Sequence, residues 1–330
     1  MTAIVPFWLV AACTSAGGAD SDTTSTDSAD SGEGDGETGG GETGGGETGG
    51  GGQNPLAGLN FWVDPDSNAA RESDPIFDKI ADHPVAKWLG GWSGDVSSAV
   101  DDVFAQAGAA TPVLVAYNIP NRDCGGYSAG GATTLEEYTT WVDDLAAGLA
   151  GRSAVVVLEP DSLALVSCLD DVELAERYAM LRYAAGELSA AGGLVYLDAG
   201  HSAWNSAADI ADRLAQSGIE VAAGFTLNTS NFRETPEILA YGDSVSALLD
   251  GAHYVVDTSR NGLGPDGTEW CNPPGRALGE PPGVVTGSAY ADAFLWIKAP
   301  GESDGSCNGG PSAGTWWADY ARGLAERAAW

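Results

Sequence analysis

Basic residues are scarce in this 330-residue chain, which sets 14 Lys and Arg against 47 Asp and Glu for a formal net charge of −33. No Lys or Arg precedes Arg71, and the only lysines are Lys79, Lys87 and Lys298. A field of that sign repels a phosphate backbone, which excludes nucleic-acid partners, and it disfavours an anionic membrane surface for the same reason. No apolar run reaches the ~18 residues of a spanning helix. No GxxxxGK[ST] segment is present to cradle phosphates. Histidines number three, and no close Cys pair or His–Cys cluster has zinc-ligand spacing, so no metal or other cofactor is expected.

Residues 14–53 contain no aromatic residue at all. Gly, Ser, Thr, Asp and Glu dominate there, and Glu-Thr-Gly-Gly-Gly recurs with period five from Glu37. Such a segment cannot offset its ordering entropy by burial and is expected to be a flexible acidic tether, reaching about 35 Å as a random coil. The twelve residues before it are mostly apolar, and Cys13 follows Val10-Ala11-Ala12. A hydrophobic stretch, small residues and then Cys is the pattern of a bacterial lipoprotein signal, with Cys13 as the lipidated residue. A plain secretory signal is the alternative, and the usual cationic start is missing. The expected organisation is a signal and lipobox over residues 1–13, a tether over 14–53 and one catalytic domain over 54–330. The chain would then be secreted or held at the cell surface, touching a membrane only through its lipid.

Nine of the acids lie in residues 1–53, leaving 38 against 14 bases in the remainder. So acidic and lysine-poor a surface favours a monomer and suggests tolerance of salt, although a GC-rich genome would give the same bias. Hydrophobic residues make up 43% of the chain, enough for a sizeable core.

After residue 54, short β-branched runs alternate with Ala-rich helical patterns. Strands are expected at Leu59–Val63, Val85–Leu89, Pro112–Asn118, Ala154–Leu158, Gly193–Asp198, Val221–Leu227, His253–Asp257 and Ala293–Lys298. Helices are expected at Leu135–Ala150, Asp171–Ala190 and Pro236–Leu249. This alternation implies an α/β fold with a parallel sheet buried on both faces, and seven or eight units in ~280 residues point to a closed or nearly closed barrel. Four of the strands run into Asp123, Asp161, Asp198 and Asp304, which a parallel barrel would gather at its C-terminal face. For any one of them a helix cap is the plainer reading. Four together, beside His, Lys and Trp, read as a site, because clustered like charges raise one another's pKa. Beyond Cys13 there are four cysteines, which allow three pairings. Cys124 and Cys168 follow motifs on adjacent strands, which favours that pair and an oxidising compartment.

Asn60-Phe61-Trp62-Val63-Asp64-Pro65, Asn121-Arg122-Asp123-Cys124, Glu159-Pro160-Asp161-Ser162-Leu163, Leu197-Asp198-Ala199-Gly200-His201, Asp257-Thr258-Ser259-Arg260-Asn261-Gly262, Glu269-Trp270-Cys271 and the run from Trp296 to Gly305 together resemble glycoside hydrolase family 6. The resemblance covers residues 54 to 330 in order. It implies a distorted seven-stranded parallel (β/α) barrel, TIM-like, with its site at the C-terminal strand ends. It also implies inverting hydrolysis of β-1,4-glucan (cellulose or cello-oligosaccharides) and the disulfides Cys124–Cys168 and Cys271–Cys307.

By the same resemblance Asp161 is the general acid, Asp123 modulates it and helps relay a proton, and Asp304 holds the candidate-base position. Asp198 is a supporting carboxylate, and Tyr117 lies near the reactive sugar. Trp88, Trp204 and Trp270 would stack on glucose, while Lys298 and Glu302 would bond its hydroxyls. His201, Asn231 and Arg122 carry over more weakly, since local hydrogen bonds explain each as well. Two departures stand out: Ala129 replaces the usual Ser beside the presumed water site, and Gly90-Gly91-Trp92 replaces more polar cleft residues and adds a further aromatic. No long inserted loop is evident to roof a tunnel, so an open cleft and endo action are expected. Exo action, or a tethered glycan-binding protein without catalysis, are the alternatives.

Overall fold

The computed structural model describes residues 53–285 and 287–330, so Cys13 and all of the expected tether but Gln53 lie outside the described residues. Eight strands form one sheet: β1 (Lys87–Leu89), β2 (Val113–Ala116), β3 (Ala154–Leu158), β4 (Gly193–Asp198), β5 (Gly224–Leu227), β6 (His253–Asp257), β7 (Gly283–Val284) and β8 (Ala291–Leu295). Their order is β1-β2-β3-β4-β5-β6-β8-β7. Seven run parallel, and the two-residue β7 lies antiparallel on β8. The described helices are α1 (Asp78–Ala81), α2 (Val96–Ala107), α3 (Leu135–Leu149), α4 (Asp171–Ala190), α5 (Ala207–Gln216), α6 (Thr235–Ala247) and α7 (Ala318–Glu326).

Strand side chains alternate between two apolar layers. Leu114, Ala116, Val156, Leu158, Val195 and Leu197 face the helices. Val113, Val115, Val155, Val157, Tyr196 and Val255 fill the interior of the curled sheet. Both faces are therefore buried, which is why the strands read as continuous apolar runs. The same parity turns Tyr117, Asp198 and Asp257 toward the interior at the C-terminal strand ends. The sheet curls until the segments beside β1 and β8 meet. Ala86 N donates to Trp296 O at 2.9 Å, and Trp88 Nε1 donates to Ile297 O at 2.8 Å. Around that seam Tyr320, Ala321 and Leu324 of α7 pack with Phe77, Ile80 and Trp296.

The expected strand from Val221 begins only at Gly224, because Ile219–Val221 forms a 3-10 turn, and those at residues 85–89 and 112–118 are shorter than expected. Two others differ more. Leu59–Val63 supplies only an isolated bridge, Phe61 to Thr111, because β1 takes the same edge of β2 from Leu114 onward. The last expected strand ends at Leu295, since Ile297 N and Lys298 N donate to the Asp257 carboxylate instead of a neighbouring strand.

Candidate active site

The acid side of the site is a sharp turn after β3. Glu159 and Asp161 both have left-handed backbone, φ 50° and 69°, a conformation that costs each L-residue about 1–2 kcal/mol. Neighbouring contacts hold it. The buried Glu159 carboxyl accepts from Asn118 N at 3.0 and 2.9 Å and from Ile119 N at 3.0 Å. Arg177, from α4, donates to Ser162 O at 3.0 Å and Pro120 O at 2.7 Å. The segments after β2 and β3 are thereby fastened together. Burial is the main reason that Glu159 is pushed up to about 7, with its backbone donors and Arg177 pulling the other way.

Asp161 N donates to Asp198 Oδ1 at 3.0 Å, and Gly200 N donates to the same oxygen at 3.1 Å. Asp123 Oδ2 accepts from Ser128 N at 2.7 Å, so the segment containing Ala129 closes back on Asp123. Burial raises the Asp161 carboxyl well above the carboxylate range, and the charges of Asp198, Asp123 and Asp304 raise it further. Asp198 is pushed up to about 6, by burial first and also by Asp257. The structure thus brings the four expected aspartates into one electrostatic cluster.

Asp304 has the opposite environment. Its Oδ2 accepts from Arg260 Nη1 at 2.8 Å and Asn272 N at 2.9 Å, and its Oδ1 lies 3.6 Å from Lys298 Nζ. Burial alone would raise its pKa, but the two cations and these hydrogen bonds outweigh it and hold Asp304 below the usual range. Arg260 is itself buried against Phe232, its guanidinium carbon 4.3 Å from the ring centre. Glu302 sits close enough to Lys298 and Lys87 for both to stabilise its charge against the larger effect of burial.

Aromatic rings line the same face. Trp88 meets Tyr117 edge-to-face at 5.3 Å, and Tyr117 is buried. Trp204 and Trp270 are partly exposed, as platforms need to be, and so is Trp92. The weaker assignments fare differently. Arg122 donates to Tyr117 O and Ser128 O, both at 2.8 Å, and lies against the rings of Trp92 and Tyr117. Asn231 Oδ1 accepts from Phe232 N at 2.9 Å. His201 Nδ1 accepts from Ala203 N at 3.3 Å, its ring lies beside Trp204, and burial and Arg233 push its pKa down to about 4. All three make the local contacts that compete with a binding role.

The disulfides Cys124–Cys168 and Cys271–Cys307 are both present, one on each side of the cluster. Glu159, Arg177, Arg260 and Asn272 are the site residues that sequence reasoning missed. Glu159 and Arg260 stood inside motifs already singled out, whereas nothing in the sequence marked Arg177 or Asn272.

The model of Glycosyl hydrolases family 6 matches residues 63–328. The chain belongs to this family. Among family 6 relatives, it is 47% identical over 288 residues to Endoglucanase A of Cellulomonas fimi, covering 84% of this chain and 63% of that protein. To Endoglucanase 1 of Streptomyces halstedii it is 46% identical, covering 76% and 83%. A solved family structure, the endoglucanase Cel6 of Mycobacterium tuberculosis in complex with a thio-linked methyl-cellobiosyl cellobioside, superposes with a TM-score of 0.80 at 45% identity, covering 83% of this chain and 98% of that one. The family 6 fold seen here is the curled, mostly parallel barrel that the sequence led one to expect.

Proposed function

We propose that this chain is an endo-β-1,4-glucanase that hydrolyses internal bonds of cellulose or related β-glucans with inversion. The observation that carries it is the contrast between two carboxyls: Asp161 is raised by burial and three like charges, while Asp304 is bonded by Arg260 Nη1 and Asn272 N, lies 3.6 Å from Lys298 Nζ and is held below its usual range. Inverting hydrolysis needs that pair, an acid for the leaving oxygen and a carboxylate for the water on the opposite face of the sugar. Asp161 donates its proton to the glycosidic oxygen as the bond to the anomeric carbon breaks. Water adds to that carbon and passes its proton to Asp304, with Oδ1 as the accepting oxygen because Oδ2 is engaged by Arg260 and Asn272.

Two cations weaken Asp304 as a base, which favours a second route in which a water chain carries the proton toward Asp123. The two routes separate on mutation. If Asp304 is the base, Asp304→Asn loses more kcat than Asp123→Asn; the reverse order supports the relay.

Tyr117 borders the reactive sugar and favours its distortion, with Asp198 supporting the acid. Trp88, Trp204 and Trp270 stack on glucose units, and Lys298 and Glu302 bond hydroxyls. Endo action is favoured because the curated relatives at 46–47% identity are named endoglucanases. Residues 54–330 are the catalytic domain, acting as a monomer. The two disulfides support an extracytoplasmic site of action, with Cys13 as the lipid anchor and residues 14–53 as the tether.

The experiment pairs carboxymethylcellulose viscosity with released reducing ends for the parent and Asp161→Ala. A steep viscosity fall per bond cut, lost in the variant, supports the reading. Sugar release at nearly constant viscosity turns it to exo action. Binding of cello-oligosaccharides with no hydrolysis by the parent turns it to a non-catalytic glycan-binding protein.

A further inference from the structure

Glu159 is a fully buried titratable group that the proposed reaction does not use, and it joins two strained turns. The turn after β3 is left-handed at Glu159 and Asp161. The segment after β2 is left-handed at Asn121, Asp123 and Cys124, with φ of 54°, 55° and 43°. Each carries a carboxyl that the proposed reaction uses, Asp161 in one and Asp123 in the other. Residues other than glycine stay in that region only where surrounding contacts over-determine them.

The main chain of Glu159 belongs to the first turn. Its N–H donates to Ala116 O of β2 at 2.8 Å, and its carbonyl accepts from Ser162 N at 3.1 Å. Its carboxyl reaches the root of the second, where Asn118 N and Ile119 N donate to it. Both oxygens are filled as acceptors of N–H groups, which is the arrangement of a carboxylate. Arg177 spans the same gap, donating to Ser162 O on one side and to Pro120 O and Asn121 O on the other. The Cys124–Cys168 disulfide joins the same two loops beyond both turns.

We propose that Glu159 is a positioning residue for the general acid: by tying the turn that carries Asp161 to the segment that leads to Asp123, it fixes the direction of the Asp161 carboxyl and its spacing from the Asp123 charge. This rests on the glucanase reading above. The Asp123 charge helps to raise Asp161, and its influence falls with distance. Aim matters as much, because a displacement of ~1 Å at a reacting group can cost about 10²-fold in rate. A glutamine cannot replace Glu159, since its amide nitrogen would set donor against donor at Asn118 N or Ile119 N.

The test compares Glu159→Gln with the parent on cellotetraose and on 2,4-dinitrophenyl cellobioside. The phenol leaves without a proton, so only cellotetraose needs the aimed acid. On cellotetraose kcat should fall about 10- to 100-fold with KM changed less than about twofold, while kcat on the dinitrophenyl substrate falls less than about threefold. In an Asp161→Ala background the same change should cost less than about threefold on cellotetraose, because no acid remains to aim. Equal losses on the two substrates, no loss on cellotetraose, or a full second loss in the Asp161→Ala background overturns the proposal. Should Glu159→Gln not fold, Arg177→Ala loosens the same two segments and should show the same split between substrates at smaller size; equal losses again overturn the proposal. If the parent shows no hydrolysis sensitive to Asp161, the glucanase reading has failed on its own account. Exchange of the Asn118 and Ile119 amides then reads the tie: it should quicken about tenfold or more in Glu159→Gln, and unchanged exchange overturns it.

Discussion

Asp198 accepts hydrogen bonds from the backbone of Asp161 and Gly200 through one oxygen, at 3.0 and 3.1 Å. Its pKa, raised to about 6, means that the folded chain binds more protons than the unfolded one between about pH 4 and pH 6. Stability attributable to this group is therefore greatest at low pH and is lost as pH rises through that window. Asp198→Asn should be more stable than the parent at pH 7, by about 1–3 kcal/mol, and equal to it near pH 3, as thermal unfolding at the two pH values will show. The same change removes a charge that raises Asp161, so the alkaline limb of kcat should move to lower pH. Asp161→Ala should lower kcat on glucan about 10²–10⁴-fold, and less on an aryl cellobioside whose phenol leaves without help. Arg177→Ala should cost about 1–3 kcal/mol in denaturant unfolding, because it leaves the carbonyls of Ser162 and Pro120 without their donor. The four aspartates were legible in the sequence because each ends a strand in a recognisable motif. Arg177 was not, since it lies among the helical residues of α4 and only the packed fold aims it at Ser162 and Pro120.

Helices and strands were legible in proportion to the strength of their local signals. The expected bounds of β3, β4, β6 and α4 match the structure residue for residue. Helix α4 begins at a capping box, Asp170 with Glu173, and the strands are uninterrupted apolar runs. The expected strand at residues 293–298 slipped because its end is fixed by a side chain from β6, an interaction that no local pattern encodes. Pairing of the cysteines was legible, since Cys124 and Cys168 each follow a strand-end motif on adjacent strands, and both expected disulfides form. The two disulfides close 44- and 36-residue separations, each contributing roughly 4 kcal/mol by restricting the unfolded chain. Replacing both cysteines of either pair by serine should lower Tm by calorimetry. Replacing Cys271 and Cys307 should also reduce activity, because Asn272 between them and Asp304 would lose its fixed position.

At the scale of the whole molecule, the net charge of −33 is the dominant electrostatic fact. Repulsion among exposed carboxylates opposes compaction, and salt screens it. Raising NaCl from about 0.05 to about 1 M should therefore raise Tm; a flat or falling curve would show that the acidity reflects composition alone. The seam of the barrel bears on how the polypeptide is made. Asn54 donates to Asp292 O, Ala86 to Trp296 O, and Lys79 to Trp330 O, joining residues more than two hundred positions apart. During synthesis these contacts must wait for the last strands, and contacts of such long sequence separation form slowly. Only the seam needs the last residues, since β1 to β6 pair in chain order, so a nascent chain of this design leaves its barrel open until synthesis is almost complete.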